Sequence, residues 1–147
     1  MAFEGPTDLS FNRGLIEDPK EFANDANAAS WLYLCGEEFA EMEGGMSFES
    51  VEAAVSESAN IVSDPPVPMT MDLARQQIAA LDELRRPTLV TCRTGPRSSA
   101  LTYLYAGLKQ GASADEVLAR ARQDEAPFAG NEALEAWVTQ GLAELSS

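Results

Sequence analysis

Apolar residues in this chain come in two rhythms. Short unbroken runs of strand length occur at Trp31 to Cys35 and at Thr88 to Val90, the second following Pro87. Asn60 to Ser63 reads as a further short strand and Leu9 to Phe11 as a short edge strand. The other rhythm is helical. Asp18, Pro19 and Glu21 supply a cap, a first-turn proline and a first-turn acid, predicting a helix to about Ala28. Ser47 caps a helix with Phe48, Val51 and Val55 on one face. Thr70 caps another that runs to about Arg86 with Ala74, Ile78, Leu81 and Arg85 on a stripe. From Ser98 the spacing of Leu101, Leu104, Tyr105 and Leu108 predicts a helix closed by Gly111. Ser113 and Glu116 form a capping box for a helix stopped by Pro127, and Asn131 caps a last one carrying Leu134, Trp137, Val138, Leu142 and Leu145.

Between these elements lie an irregular stretch over residues 1–17, an acidic loop from Glu37 to Gly45, and a loop from Asp64 to Pro68 whose prolines at 65, 66 and 68 remove backbone donors. Strands alternating with helices predict an α/β fold: a mainly parallel central sheet flanked by helices on both faces. In such sheets ligands bind at the carboxyl ends of the strands. Cys35, Ser63 with Asp64, and Cys92 each end a strand and are expected along that edge. The chain is expected to form one domain over residues 1–147, long enough for a hydrophobic core at 45% apolar content.

Charge narrows the partners. Lys and Arg number 10 against 24 Asp and Glu, a net −14. That balance repels nucleic acid and anionic membrane surfaces, so neither is expected as a partner. No run is apolar enough to span a bilayer, and no secretory signal is visible, so a cytoplasmic location is expected. The two cysteines are then expected as thiols rather than as a disulfide scaffold. Histidine is absent. Catalysis by a His base and most zinc sites are thereby excluded, and chemistry must use Cys, carboxylates and Arg. No metal or organic cofactor is indicated.

The stretch that satisfies this requirement is Cys92-Arg93-Thr94-Gly95-Pro96-Arg97-Ser98, a turn between a strand and a helix. A helix starting there directs its orphan N–H groups and the positive end of its dipole at the turn, which favours anions and a thiolate nucleophile at Cys92. Arg97 adds a bidentate fork for an oxyanion. Thr94 and Ser98 offer hydroxyl donors to the sulfur, Ser98 serving alternatively as the helix cap, while Arg93 is expected to point outward and extend the positive mouth.

This loop resembles the active-site loop of the protein tyrosine phosphatase-like superfamily, most closely that of the DUF442 group, the phosphatase-like domain of beta-lactamase-hydrolase-like proteins. The resemblance takes in Ser47 to Val55, Pro65 to Pro68 and Thr70 to Ala74, and covers about residues 45–128. It implies a phosphatase-like fold in which Cys92 is the nucleophile and Arg97 the anion clamp, with Asp64 as the candidate general acid or, alternatively, an ordinary Asp-Pro turn start. Two features depart from the phosphatase signature: Thr91 stands where a His is usual, and the spacing from Cys92 to Arg97 is one residue short, as in rhodanese sulfurtransferases. These departures favour sulfur transfer through a persulfide on Cys92, with a small anionic donor and a thiol acceptor, and with Cys35 as a possible resolving thiol. The alternatives are a phosphatase working through a phosphocysteine and, from another class, a non-catalytic anion-binding module.

Overall fold

The computed structural model describes residues 3–63 and 68–145. Four parallel strands form its sheet: β1 (Leu9–Phe11), β2 (Ser30–Tyr33), β3 (Glu57–Asn60) and β4 (Thr88–Thr91), in the order β1-β4-β2-β3. The strand carrying Cys92 at its end is therefore interior, with neighbours on both sides. Every residue of β2 and β4 is buried, as continuous apolar runs require. Register aligns Trp31 with Leu89 and Tyr33 with Thr91.

The helices are α1 (Pro19–Asp25), α2 (Glu37–Ala40), α3 (Phe48–Ala54), α4 (Met71–Glu83), α5 (Pro96–Gln110), α6 (Ala114–Gln123) and α7 (Glu132–Leu145). Trp31 and Tyr33 point to the layer of α1 and α3, meeting Phe22 and Phe48 with ring centroids 6.0 and 6.3 Å apart. Alternation turns Leu32 and Val90 the other way, toward α5, which packs on β4 and β1 and gathers α4, α6 and α7 around itself. Trp137, on α7, is buried in that layer, and its indole N–H donates to Thr70 O at 3.0 Å. None of the described helices is long and apolar enough to cross a membrane.

Caps form where the sequence places them. Asp18, Ser47, Thr70 and Asn131 each accept from first-turn N–H groups, and Ser113 with Glu116 closes the full box. Four expectations are corrected. The third strand is Glu57–Asn60, upstream of Asn60–Ser63, because a sheet edge tolerates the polar residues that follow α3; pairing nevertheless continues, with Ile61 N–H on Tyr33 O and Ser63 N–H on Leu34 O. The acidic loop contains a helical turn, α2, pinned by buried Phe39. Helices α1, α4 and α6 end at Asp25, Glu83 and Gln123, short of Ala28, Arg86 and Pro127. Finally, α5 begins at Pro96, not Ser98, and is buried on all sides from Ser98 to Gly107, so the four-residue stripe understated its apolar surface.

A half-buried ion-pair knot ties α5 to α6. Tyr103 donates to Asp124 Oδ2 at 2.6 Å, and Arg120 Nε reaches the same carboxylate at 3.1 Å. The tyrosine hydrogen bond first, then Arg120, holds the Asp124 carboxyl below its ordinary range, while burial and Asp124 push the Tyr103 phenol up. Because the folded value of Asp124 is depressed, its stabilisation is complete above the unfolded value and fades as pH falls through the folded one. Asp124→Asn is expected to cost about 1–3 kcal/mol at pH 7. Urea midpoints of both proteins should converge as the pH drops below about 4.

Candidate active site

Cys92 directly follows β4, and the chain then turns through Gly95 into α5. Gly95 is at φ +115°, a left-handed conformation open to glycine, and a Cβ there would lie 2.2 Å from Asn12 O. The turn folds the backbone around the sulfur. Gly95 N–H donates to Cys92 Sγ at 3.1 Å and Ser98 N–H at 3.4 Å, with Ser98 Oγ also 3.4 Å away. Pro96 occupies the first helical position, where its missing N–H belongs to an orphan site in any case.

Cys92 lies at a pocket of about 330 Å³ lined also by Arg93, Thr94, Pro96 and Arg97, with a wall of Met69, Asn131, Ala133 and Leu134. Arg97 Nη1 donates to Ser63 O, which fixes the guanidinium beside the loop. Its fork of five N–H donors is large enough to hold that carbonyl and an oxyanion together. Arg93 does not simply project outward: its guanidinium lies 5.5 Å from the Phe39 ring centroid, over α2.

The remaining expected residues separate. Thr94 is exposed and is tied to the loop through its carbonyl, which accepts from Gly14 N–H at 2.8 Å, rather than through a hydroxyl on the sulfur. Ser98 is no helix cap but the third helical residue, buried against Cys92. Cys35 is buried at the neighbouring strand end, but it lines a different hollow, with Glu37, Glu49 and Glu52 of the acidic segments. Neither cysteine is in a disulfide. Asp64 lies outside the described residues. Among the described residues, no group of three Cys, Asp or Glu side chains is arranged to hold a metal.

Two contributors escaped the sequence. Asn12, within the irregular stretch over residues 1–17, is buried and bonds both sides of Cys92: its Oδ1 accepts Cys92 N–H at 3.2 Å and its Nδ2 donates to Cys92 O at 3.0 Å. The start of α7, through Asn131, Ala133 and Leu134, forms a pocket wall. The position of Asn12 directly after the expected edge strand was the available signal for the first; nothing local marked the second.

No family model matches this sequence, and no curated protein does. Solved structures do. Tk-PTP in its active form aligns with a TM-score of 0.74 at 16% identity, covering 97% of this chain and 95% of that one. A putative phosphatase (DUF442) from Shewanella putrefaciens CN-32 aligns at 0.68 and 21% identity, covering 97% and 90%. The core catalytic domain of the PP-IP phosphatase SIW14 from S. cerevisiae aligns at 0.65 and 16% identity, covering 95% and 81%. One of these folds carries the DUF442 designation that the Cys92 loop resembles. The chain has the protein tyrosine phosphatase-like fold.

Proposed function

We propose that this protein is a cysteine-dependent phosphatase acting on phosphomonoesters. Sulfur transfer, placed first on loop length, yields to the phosphatase reading, because the folds that match are named as phosphatases and nothing found supports a persulfide. The observation that carries the proposal is the convergence of Gly95 and Ser98 N–H groups on Cys92 Sγ in a pocket that also holds Arg93 and Arg97.

The chemistry runs in two steps. The Cys92 thiolate attacks phosphorus, the bond to the ester oxygen breaks, and an acid gives that oxygen a proton. Water then attacks the phosphocysteine, its proton passes to the same group acting as base, and the sulfur leaves as a thiolate with phosphate released. Arg97 and the loop N–H groups stabilise the charge that builds on the equatorial oxygens. Asp64 is assigned the acid and base role. Its support is chain position: it directly follows Ser63, the residue whose carbonyl Arg97 holds.

The test is hydrolysis of aryl and alkyl phosphates beside sulfur transfer from thiosulfate to cyanide. Wild type should release phosphate from both ester classes. Asp64→Asn should slow alkyl esters by about 10²–10⁴-fold and p-nitrophenyl phosphate far less, since that leaving group needs no proton. Phosphate release that is absent while thiocyanate forms at Cys92 would overturn the reading.

A further inference from the structure

We infer that Asn12 is a positioning residue for Cys92, an assignment that rests on the phosphatase reading for its kinetic meaning. Its carboxamide acts as a staple. Oδ1 accepts from Cys92 N–H at 3.2 Å and from Ser98 Oγ at 3.1 Å, while Nδ2 donates to Cys92 O at 3.0 Å, Arg93 O at 3.3 Å and Gly14 O at 2.9 Å. One side chain therefore fixes the peptide groups on both sides of the nucleophile and the hydroxyl nearest its sulfur.

The staple is itself anchored. Gly14 N–H donates to Thr94 O, and Arg13 reaches Glu125 O and Asp124 O at 2.8 and 3.2 Å, beyond the C-terminal end of α6. Gly95 comes so close to Asn12 O that no side chain fits between them. The segment after β1 thus forms the back wall of the anion loop.

The Ser98 hydroxyl has one proton and three neighbours: Asn12 Oδ1, Gly95 O at 3.2 Å and Cys92 Sγ at 3.4 Å. When Cys92 carries its proton, Ser98 can give its own to Asn12 and accept from the thiol. When sulfur departs from phosphorus as a thiolate, the hydroxyl must turn its proton to the sulfur. Asn12 holds Oγ at the distance from which that rotation works. Its loss is expected to act on the second step, where the thiolate leaves, more than on substrate binding.

The experiment compares wild type, Asn12→Ala, Ser98→Ala and the double variant. Thermal melts establish that each is folded, and p-nitrophenyl phosphate kinetics with acid-quenched intact mass follow the reaction. Asn12→Ala should lower kcat about tenfold or more, lower KM in parallel so that kcat/KM changes little, and accumulate phosphorylated Cys92. The double variant should be no slower than the slower single one. Unchanged kcat in folded Asn12→Ala, or losses that multiply in the double variant, would overturn the assignment. Alkylation of Cys92 by iodoacetamide at neutral pH separates the two readings. If wild type hydrolyses no phosphate, the phosphatase reading fails, yet the positioning role still requires slower alkylation in both single variants with no multiplication in the double. Equal alkylation rates in wild type and Asn12→Ala would end it.

Discussion

Cys92→Ser is expected to abolish phosphomonoester turnover, by about 10⁴-fold or more, while leaving oxyanion binding intact. A hydroxyl in place of the thiolate is a weak nucleophile, and no other group beside the phosphorus takes over the covalent step. The N–H groups of Gly95 and Ser98 that point at Sγ and the nearby Arg97 remain in the variant. Tungstate titration followed by calorimetry should therefore give similar affinity for the variant and wild type. That pairing separates an enzyme from a non-catalytic anion-binding module, for which serine at this position leaves the cellular role unaffected.

The second large effect is expected at Gly95. A methyl group there meets Asn12 O at 2.2 Å and Pro127 Cγ at 3.0 Å, and the backbone sits at φ +115°. Strain and backbone collision together should cost about 2–4 kcal/mol of stability. Turnover should fall about 10²-fold or more, because relief of the clash moves the N–H that touches the sulfur. Gly14→Ala is the matched comparison, at φ +114° with open space around its Cβ. It carries the conformational strain alone, so urea denaturation should show a smaller loss, about 1–2 kcal/mol.

How much of this was legible in the chain depends on whether the signal was local. The Cys92 turn could be read because strand, glycine, proline and helix start are consecutive, and so could the caps at Asp18, Ser47, Thr70 and Ser113, which act within one helical turn. The Leu9–Phe11 strand was also visible, and its parallel pairing with β4 brings the segment after it against Cys92. That pairing was not readable, and without it nothing set Asn12 apart from the rest of the irregular stretch over residues 1–17. The third strand was misplaced because Glu57 to Asn60 lack an apolar run; an edge strand needs only backbone partners on one side. Ser98 was ambiguous between helix cap and sulfur contact, and the answer depended on α5 starting at Pro96. The spacing from Cys92 to Arg97, one residue short of the phosphatase signature, favoured sulfur transfer, whereas the folds that match are those of phosphatases. Spacing alone could not show that the helix begins inside the loop and brings Ser98 N–H to the sulfur.

The central claim is that a phosphoryl group passes through Cys92. Its most direct test is the intact mass of enzyme mixed with p-nitrophenyl phosphate and quenched in acid within the first turnovers, with peptide mapping of the adduct. One phosphoryl group on the peptide containing Cys92, absent from Cys92→Ser and chased away by longer incubation, is the expected result. A protein that stays unmodified by phosphomonoesters but takes up one sulfur from thiosulfate at Cys92 would contradict the account.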